Sequence, residues 1–211
     1  MKRVLVLMSA IFGLLGCGTF QAPETRRLLA QVTGQPEEIA PRYATLIKSK
    51  APALQIGFPD LGKGGGTLLL ERREGAFEYW LSPEGAQVIL QGGMLHGLHG
   101  FGEGLLASEL TEPLALVRAL HPGVSDRFQT FLDGGDRAVT RTYRCTIERI
   151  GPEDIALADR LVSTVLMVER CRSLDQSFEN FYWVVPASGQ IVLSRQWAGP
   201  FLGALSTRVV P

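Results

Sequence analysis

The sequence predicts an all-β protein: an antiparallel barrel-like or sandwich domain with one or two short N-terminal helices and one inserted helix. Three observations carry that prediction. Residues 138–149 alternate in polarity with a period of two, and Asp133-Gly134-Gly135-Asp136 separates two strand-like runs. Tight-turn sequences also recur between short apolar runs from Thr67 onward. The 211 residues are 45% hydrophobic and 20% charged, with 21 Lys plus Arg against 21 Asp plus Glu. That composition excludes a disordered chain and a basic nucleic-acid-binding face. The length suits one domain able to bury a core.

The chain opens with Lys2 and Arg3, then an apolar run from Val4 to Leu15. A run of twelve residues is too short to span a bilayer and has the layout of an export signal. The run ends in Leu14-Leu15-Gly16-Cys17, which looks like the lipobox of bacterial lipoproteins. On that reading residues 1–16 are removed and Cys17 carries acyl chains that hold the protein on a membrane. Loss of Lys2 and Arg3 leaves 19 basic against 21 acidic residues. A charge of about −2 gives no electrostatic pull toward nucleic acid or anionic lipid. Cys145 and Cys171 are then the remaining cysteines in an oxidising compartment, where a disulfide between them is expected. Two buried free thiols are the alternative.

Residues 17–65 read as a lipidated tether with short helices, and residues 66–211 as the β domain. Pro23-Glu24 opens one helix, with Leu28, Leu29 and Val32 at helical spacing before Gly34. Pro41 opens a second, with Tyr43, Leu46 and Ile47 on one face, Lys48 and Lys50 in its last turn, and Ala51-Pro52 to stop it. Strands follow at Leu68–Glu71 and Phe77–Leu81 around Arg73-Glu74-Gly75, and at Gln87–Gln91 after Pro83-Glu84-Gly85. Thr111-Glu112-Pro113 starts the inserted helix, which His121-Pro122-Gly123 ends.

Arg127–Leu132 and Ala138–Arg149 form the hairpin around residues 133–136. In the second strand Val139, Tyr143, Cys145 and Ile147 share one face. Arg141 interrupts that face and needs a partner if buried. Val162–Cys171 is a further long strand, and Phe178–Val185 pairs with Gln190–Ala198 across Pro186-Ala187-Ser188-Gly189.

No cofactor, metal or catalytic site is predicted. Lys63-Gly64-Gly65-Gly66 lacks the spacing and following helix of a phosphate loop. His96 and His99, with His121 and Glu103, are the best metal candidates, but they sit in a glycine-rich stretch read as a kinked loop or bulged strand. No Gly-x-Ser-x-Gly elbow occurs. The acid pairs Asp133/Asp136 and Glu153/Asp154 lie in turn sequences, where backbone hydrogen bonding explains them. Trp80, Tyr182, Trp183 and Trp197 fall on strands and are candidate glycan contacts, although aromatic side chains in β domains mostly serve the core.

Several pieces in order carry a resemblance: Trp80-Leu81 with Glu84-Gly85, Gly100-Phe101-Gly102, Asp133-Gly134-Gly135-Asp136 and Thr140-Arg141-Thr142-Tyr143-Arg144-Cys145. Gly151-Pro152-Glu153, Glu169-Arg170-Cys171, Phe178-Glu179-Asn180-Phe181-Tyr182-Trp183 and Ser194-Arg195-Gln196-Trp197 continue it. The chain resembles the YjbF/GfcB family of group 4 capsule polysaccharide lipoproteins, with His99 standing where the pattern has arginine. The resemblance implies an all-β, non-catalytic outer-membrane lipoprotein facing the periplasm, encoded with exopolysaccharide or capsule export components. Gly18, rather than Asp, after Cys17 fits that membrane. Its implied partners are the membrane itself, export proteins of the envelope and the polysaccharide. The alternatives are a polysaccharide-modifying enzyme and a carrier of lipid-linked cargo.

Overall fold

The computed structural model describes residues 39–211 except 103, 133, 134 and 136. Cys17, the helix expected over residues 23–34, Glu103, Asp133 and Asp136 therefore lie outside the described residues.

Helix α1 (Pro41–Lys48) begins where Pro41 predicts. Its Tyr43 is buried against Leu69 and Leu81 with Leu46 beside it, and the Tyr43 hydroxyl donates to the Thr67 carbonyl at 2.9 Å. Ile47, expected on that face, is 53% exposed, because this two-turn helix meets the sheet through Tyr43 and Leu46. The strands are β1 (Ala53–Phe58), β2 (Lys63–Glu74), β3 (Phe77–Leu81), β4 (Gln87–Gln91), β5 (Met94–His99) and β6 (Leu105–Ser108). Helix α2 (Thr111–Arg118) is followed by β7 (Gly123–Leu132), β8 (Ala138–Leu157), β9 (Arg160–Arg172), β10 (Ser177–Val185), β11 (Gln190–Trp197) and β12 (Ala204–Val209).

Every strand but one pairs antiparallel with the next in sequence, the exception being β5 with β6, and β1 also pairs with β12, giving the order β5-β4-β3-β2-β1-β12-β11-β10-β9-β8-β7-β6. The two ends of that sheet approach each other. A Cβ on Gly97 of β5 would lie 2.7 Å from the Leu106 carbonyl of β6, and His96 Nδ1 is 2.9 Å from the Ser108 carbonyl oxygen. The result is a nearly closed twelve-stranded antiparallel barrel with two helices. Near-closure leaves little open strand edge, which is how all-β domains avoid edge-to-edge association. The sheet starts earlier than residue 66. Strand β1 holds both β2 and β12, through pairs such as Leu54 with Leu68 and Leu54 with Val209.

Two apolar clusters fill the barrel. Leu54, Leu68, Trp80, Leu95, Leu105, Phe131 and Leu205 belong to one; Met94, Val117, Ile147, Met167, Val184 and Ile191 belong to the other, with Leu114 of α2 packed on it. Opposing walls touch between these clusters. Gln196 of β11 accepts from the Leu95 amide at 2.8 Å and donates to the Gly93 carbonyl at 2.9 Å. Gly93 has a φ of +91°, and a Cβ there would fall 2.8 Å from Ile191 Cβ, so glycine lets the walls meet.

Connections alternate between the two ends of an up-and-down barrel. The β1–β2, β3–β4, β5–β6, β7–β8, β9–β10 and β11–β12 connections share one end. The chain also arrives there, since the Ala40 amide donates to Pro83 in the β3–β4 connection at 2.8 Å. Helix α2 occupies the other end. It opens at Thr111 as predicted, but the Glu109 carboxylate accepts the Thr111 amide at 2.8 Å in place of a hydroxyl cap.

Candidate functional site

Strand β8 places its side chains as the alternation predicts. Tyr143, Cys145 and Ile147 are buried and Thr142, Arg144 and Thr146 are exposed. Cys145 lies directly opposite Cys171 of β9, and the two sulfurs are bonded at 2.04 Å. Val139 is 41% exposed despite sharing the inward parity, because β8 pairs with β9 only from Arg144 onward and its first residues are covered on one side alone. Arg141 is not buried, its side chain being 38% exposed, so its place on that face does not demand a partner, although Asp175 accepts from its guanidinium at 2.9 and 3.1 Å. That bond holds the Asp175 carboxyl below its ordinary range.

The four predicted aromatic residues take different surroundings. Trp80 is 6% exposed inside the first core cluster, and Tyr182 is fully buried. Neither ring offers a face to a glycan outside the barrel. Trp183 points away from Tyr182 on the opposite face of β10, where Ile155 and Leu157 of the β8–β9 hairpin pack over it with Val192. Trp197 is partly buried and stacks on Phe178, with ring centroids 5.7 Å apart and planes inclined by 12°. Tyr143 meets the other side of Phe178 edge-on at 4.9 Å, so this aromatic stack lines the disulfide.

Beside the stack lies a buried ionic cluster that the sequence did not single out. Glu169 of β9 is wholly buried, and its Oε2 accepts from Arg127 Nη1 of β7, Asn180 Nδ2 of β10 at 2.8 Å and the Tyr182 hydroxyl at 2.9 Å. Arg127 Nε also donates to Ser108 Oγ of β6 at 3.3 Å. Burial opposes the charge of Arg127, but the Glu169 carboxylate outweighs it and holds the guanidinium protonated. Burial, reinforced by Glu169, pushes the Tyr182 phenol up, so it stays neutral and donates. Glu169 Oε1 and Gln129 Oε1 are buried without a hydrogen-bond partner.

One signal for this cluster was available in the sequence. Glu169 shares its parity with Met167 and Cys171, so a carboxylate on an otherwise apolar face demanded an inward cation. Arg127 itself was hidden, because Ser125 and Gln129 flank it at the same parity and no apolar face stands out. Chemically the cluster is a neutralised, solvent-excluded ion pair that ties β6, β7, β9 and β10 together.

The metal candidates do not converge. His96 is the extra residue of a bulge where β5 slips against Ile89 and Leu90, and its ring rests on Phe77 at 4.6 Å. His99 is exposed opposite Gln87, and His121 follows α2 at the other end of the barrel. Among the described residues one group of metal-type side chains does cluster: Cys145, Glu169 and Cys171 have ligand atoms within 4.8 Å. Its sulfurs are bonded to each other and offer no thiolate. Lys63 begins strand β2, so no phosphate-loop helix follows it. Glu153 and Asp154 are adjacent exposed residues of β8 and project to opposite sides. A surface recess of about 570 Å³ between α2 and the β10–β11 turn is lined by Gln91, Leu114, Arg118 and Gly189, with Arg118 Nε held by the Gly189 carbonyl at 3.2 Å.

The family model described as group 4 capsule polysaccharide lipoprotein GfcB, YjbF matches residues 29–210. Among solved structures, the hypothetical lipoprotein YmcC from Escherichia coli (K12) is similar, with a TM-score of 0.69 and 18% identity over 88% of this chain and 94% of that one. At that identity the likeness concerns the fold. No curated protein matches the chain.

Proposed function

The chain belongs to the group 4 capsule polysaccharide lipoprotein family, and from that premise we propose that it is a lipid-anchored, non-catalytic accessory factor of exopolysaccharide or capsule secretion. Cys17 carries the lipid, and the barrel sits at the periplasmic face of the outer membrane. Its partners there are export proteins of the envelope and, through Trp183 or Trp197, the polysaccharide. The observation that carries the reading is the family match across the whole β domain, residues 29–210. Its non-catalytic part is supported by the fate of the buried ionisable groups. Arg127 and Tyr182 both donate to Glu169 Oε2 and all three side chains are buried within the barrel. Carriage of a lipid-linked cargo calls for an apolar cavity, whereas here Gln196 bridges opposing walls.

The test is genetic. Deleting the gene should lower the polysaccharide recovered from the cell surface and medium, and the intact gene should restore it. A Cys17→Ala version should accumulate in soluble form and fail to restore export. Unchanged polysaccharide in the deletion strain would sink the proposal. Shortened glycan chains after incubation with purified protein would replace it with a cleaving enzyme.

A further inference from the structure

The end of the barrel where the chain arrives is unusual in its side chains. Leu61 is 40% exposed in the β1–β2 connection, Phe201 55% in β11–β12, and Leu174 stands fully free in β9–β10. Val139 follows the β7–β8 connection and is 41% exposed; Ile39, the first described residue, is 50% exposed beside Pro83. The β1–β2, β3–β4, β5–β6 and β11–β12 connections touch one another in this rim. A Cβ on Gly85 would contact Ala40 at 3.8 Å, one on Gly100 would meet Ala86 at 3.2 Å, and one on Gly102 would meet the Phe201 ring at 2.9 Å. Asp60 closes the circuit by accepting the Ala204 amide at 2.7 Å.

Two charge pairs stand at this end. Asp60 holds Arg195 at 2.9 Å and Asp175 holds Arg141 at 2.9 Å. Beside these pairs the connections carry the exposed apolar side chains of Leu61, Leu174 and Phe201, the kind of surface that marks a contact site. Ile39, where the described chain begins, stands at the same end, 22 residues after Cys17. A lipid at Cys17 thus tethers the barrel through this end.

We infer that the rim bearing Leu61, Leu174 and Phe201 is the membrane-facing surface, with Leu174 and Phe201 seated in the interfacial layer of a zwitterionic bilayer. The inference rests on the proposed lipid at Cys17 and adds an orientation to it. Large amphipathic and apolar side chains seat at that depth, and the near-neutral domain needs no anionic lipid.

Fluorescence of the mature lipidated protein in phosphatidylcholine–phosphatidylethanolamine vesicles tests it. Leu174→Trp and Phe201→Trp add an emitter at the rim; Leu161→Trp, at a position 78% exposed at the start of β9, adds one at the opposite end. Emission is compared with that of the parent, whose three tryptophans supply the background. With brominated acyl chains in the vesicles, the added emission of the two rim variants should be blue-shifted and fall at least twofold, while that of Leu161→Trp stays unchanged. Quenching of Leu161→Trp alone, or of none of the three while the protein floats with the vesicles, overturns the orientation. Failure of the protein to float at all overturns the anchor itself and the orientation with it.

Discussion

Removing one member of the Arg127–Glu169 pair should be among the most damaging single changes available to this barrel. In Arg127→Met the Glu169 carboxylate stays wholly buried, keeping only the Asn180 amide at 2.8 Å and the Tyr182 hydroxyl at 2.9 Å as donors. An uncompensated buried charge of this kind costs about 3–5 kcal/mol. With a urea m-value of about 2 kcal/mol/M, the midpoint should fall by roughly 1.5–2.5 M.

Removing both charges behaves differently. In Arg127→Met/Glu169→Leu no charge is buried, and the residual loss comes from the unmade bonds of Tyr182, Asn180 and Ser108. The double variant should therefore lose much less than the two single variants summed, with a coupling of at least about 2 kcal/mol. Urea unfolding of the mature chain at pH 7, disulfide intact and followed by tryptophan fluorescence, gives all three values. Additive losses, or an Arg127→Met loss below about 1 kcal/mol, would show that water reaches Glu169 and that the pair is not sealed.

Two further outcomes follow from the same strands. A free-thiol assay on denatured, unreduced mature protein should find no reactive thiol from Cys145 or Cys171, and replacing both by alanine should cost about 3.5 kcal/mol by loop-closure entropy over their separation of 26 residues. Two titratable thiols would refute the bridge. Asp175→Asn removes an exposed pair whose carboxyl titrates below its unfolded value. Its stabilisation is complete above the ordinary carboxylate range and disappears as pH falls through the folded value. Thermal midpoints of parent and variant should thus differ slightly at pH 7 and converge on acidification; a gap that widens with acid would contradict the assignment.

Sequence periodicity reached the long strands and stopped at the short ones. Residues 138–149 announced an inward face that holds from Tyr143 onward, while Val139 and Arg141 on the same parity stay partly exposed. Strands β1, β6 and β12 have only six, four and six residues, too few for a period of two to stand out among Gly57, Gly104 and Gly203. The aromatic residues were legible as strand members but not by face. Bulges in β4–β5, β8–β9 and β10–β11 each reset the parity along their strand, and only the paired register records where. Helix α2 was marked by Thr111 and Pro113, yet the cap came from Glu109, two residues upstream of the first helical position. Of the ionic cluster only Glu169 was legible, for a different reason. The cluster draws one or two residues from each of four strands, and no local window contains both charges.

The pairing of β1 with β12 also sets the order of assembly. Ten of the eleven strand pairings join consecutive strands through short or moderate connections, so hairpins can form one after another as the chain becomes available. The eleventh joins Leu54 to Val209 and must close a loop of roughly 150 residues. Until the last strand is present, β1 has an open edge beside a half-built sheet, the condition in which such chains aggregate. A truncation before Ala204 would make that vulnerable interval permanent.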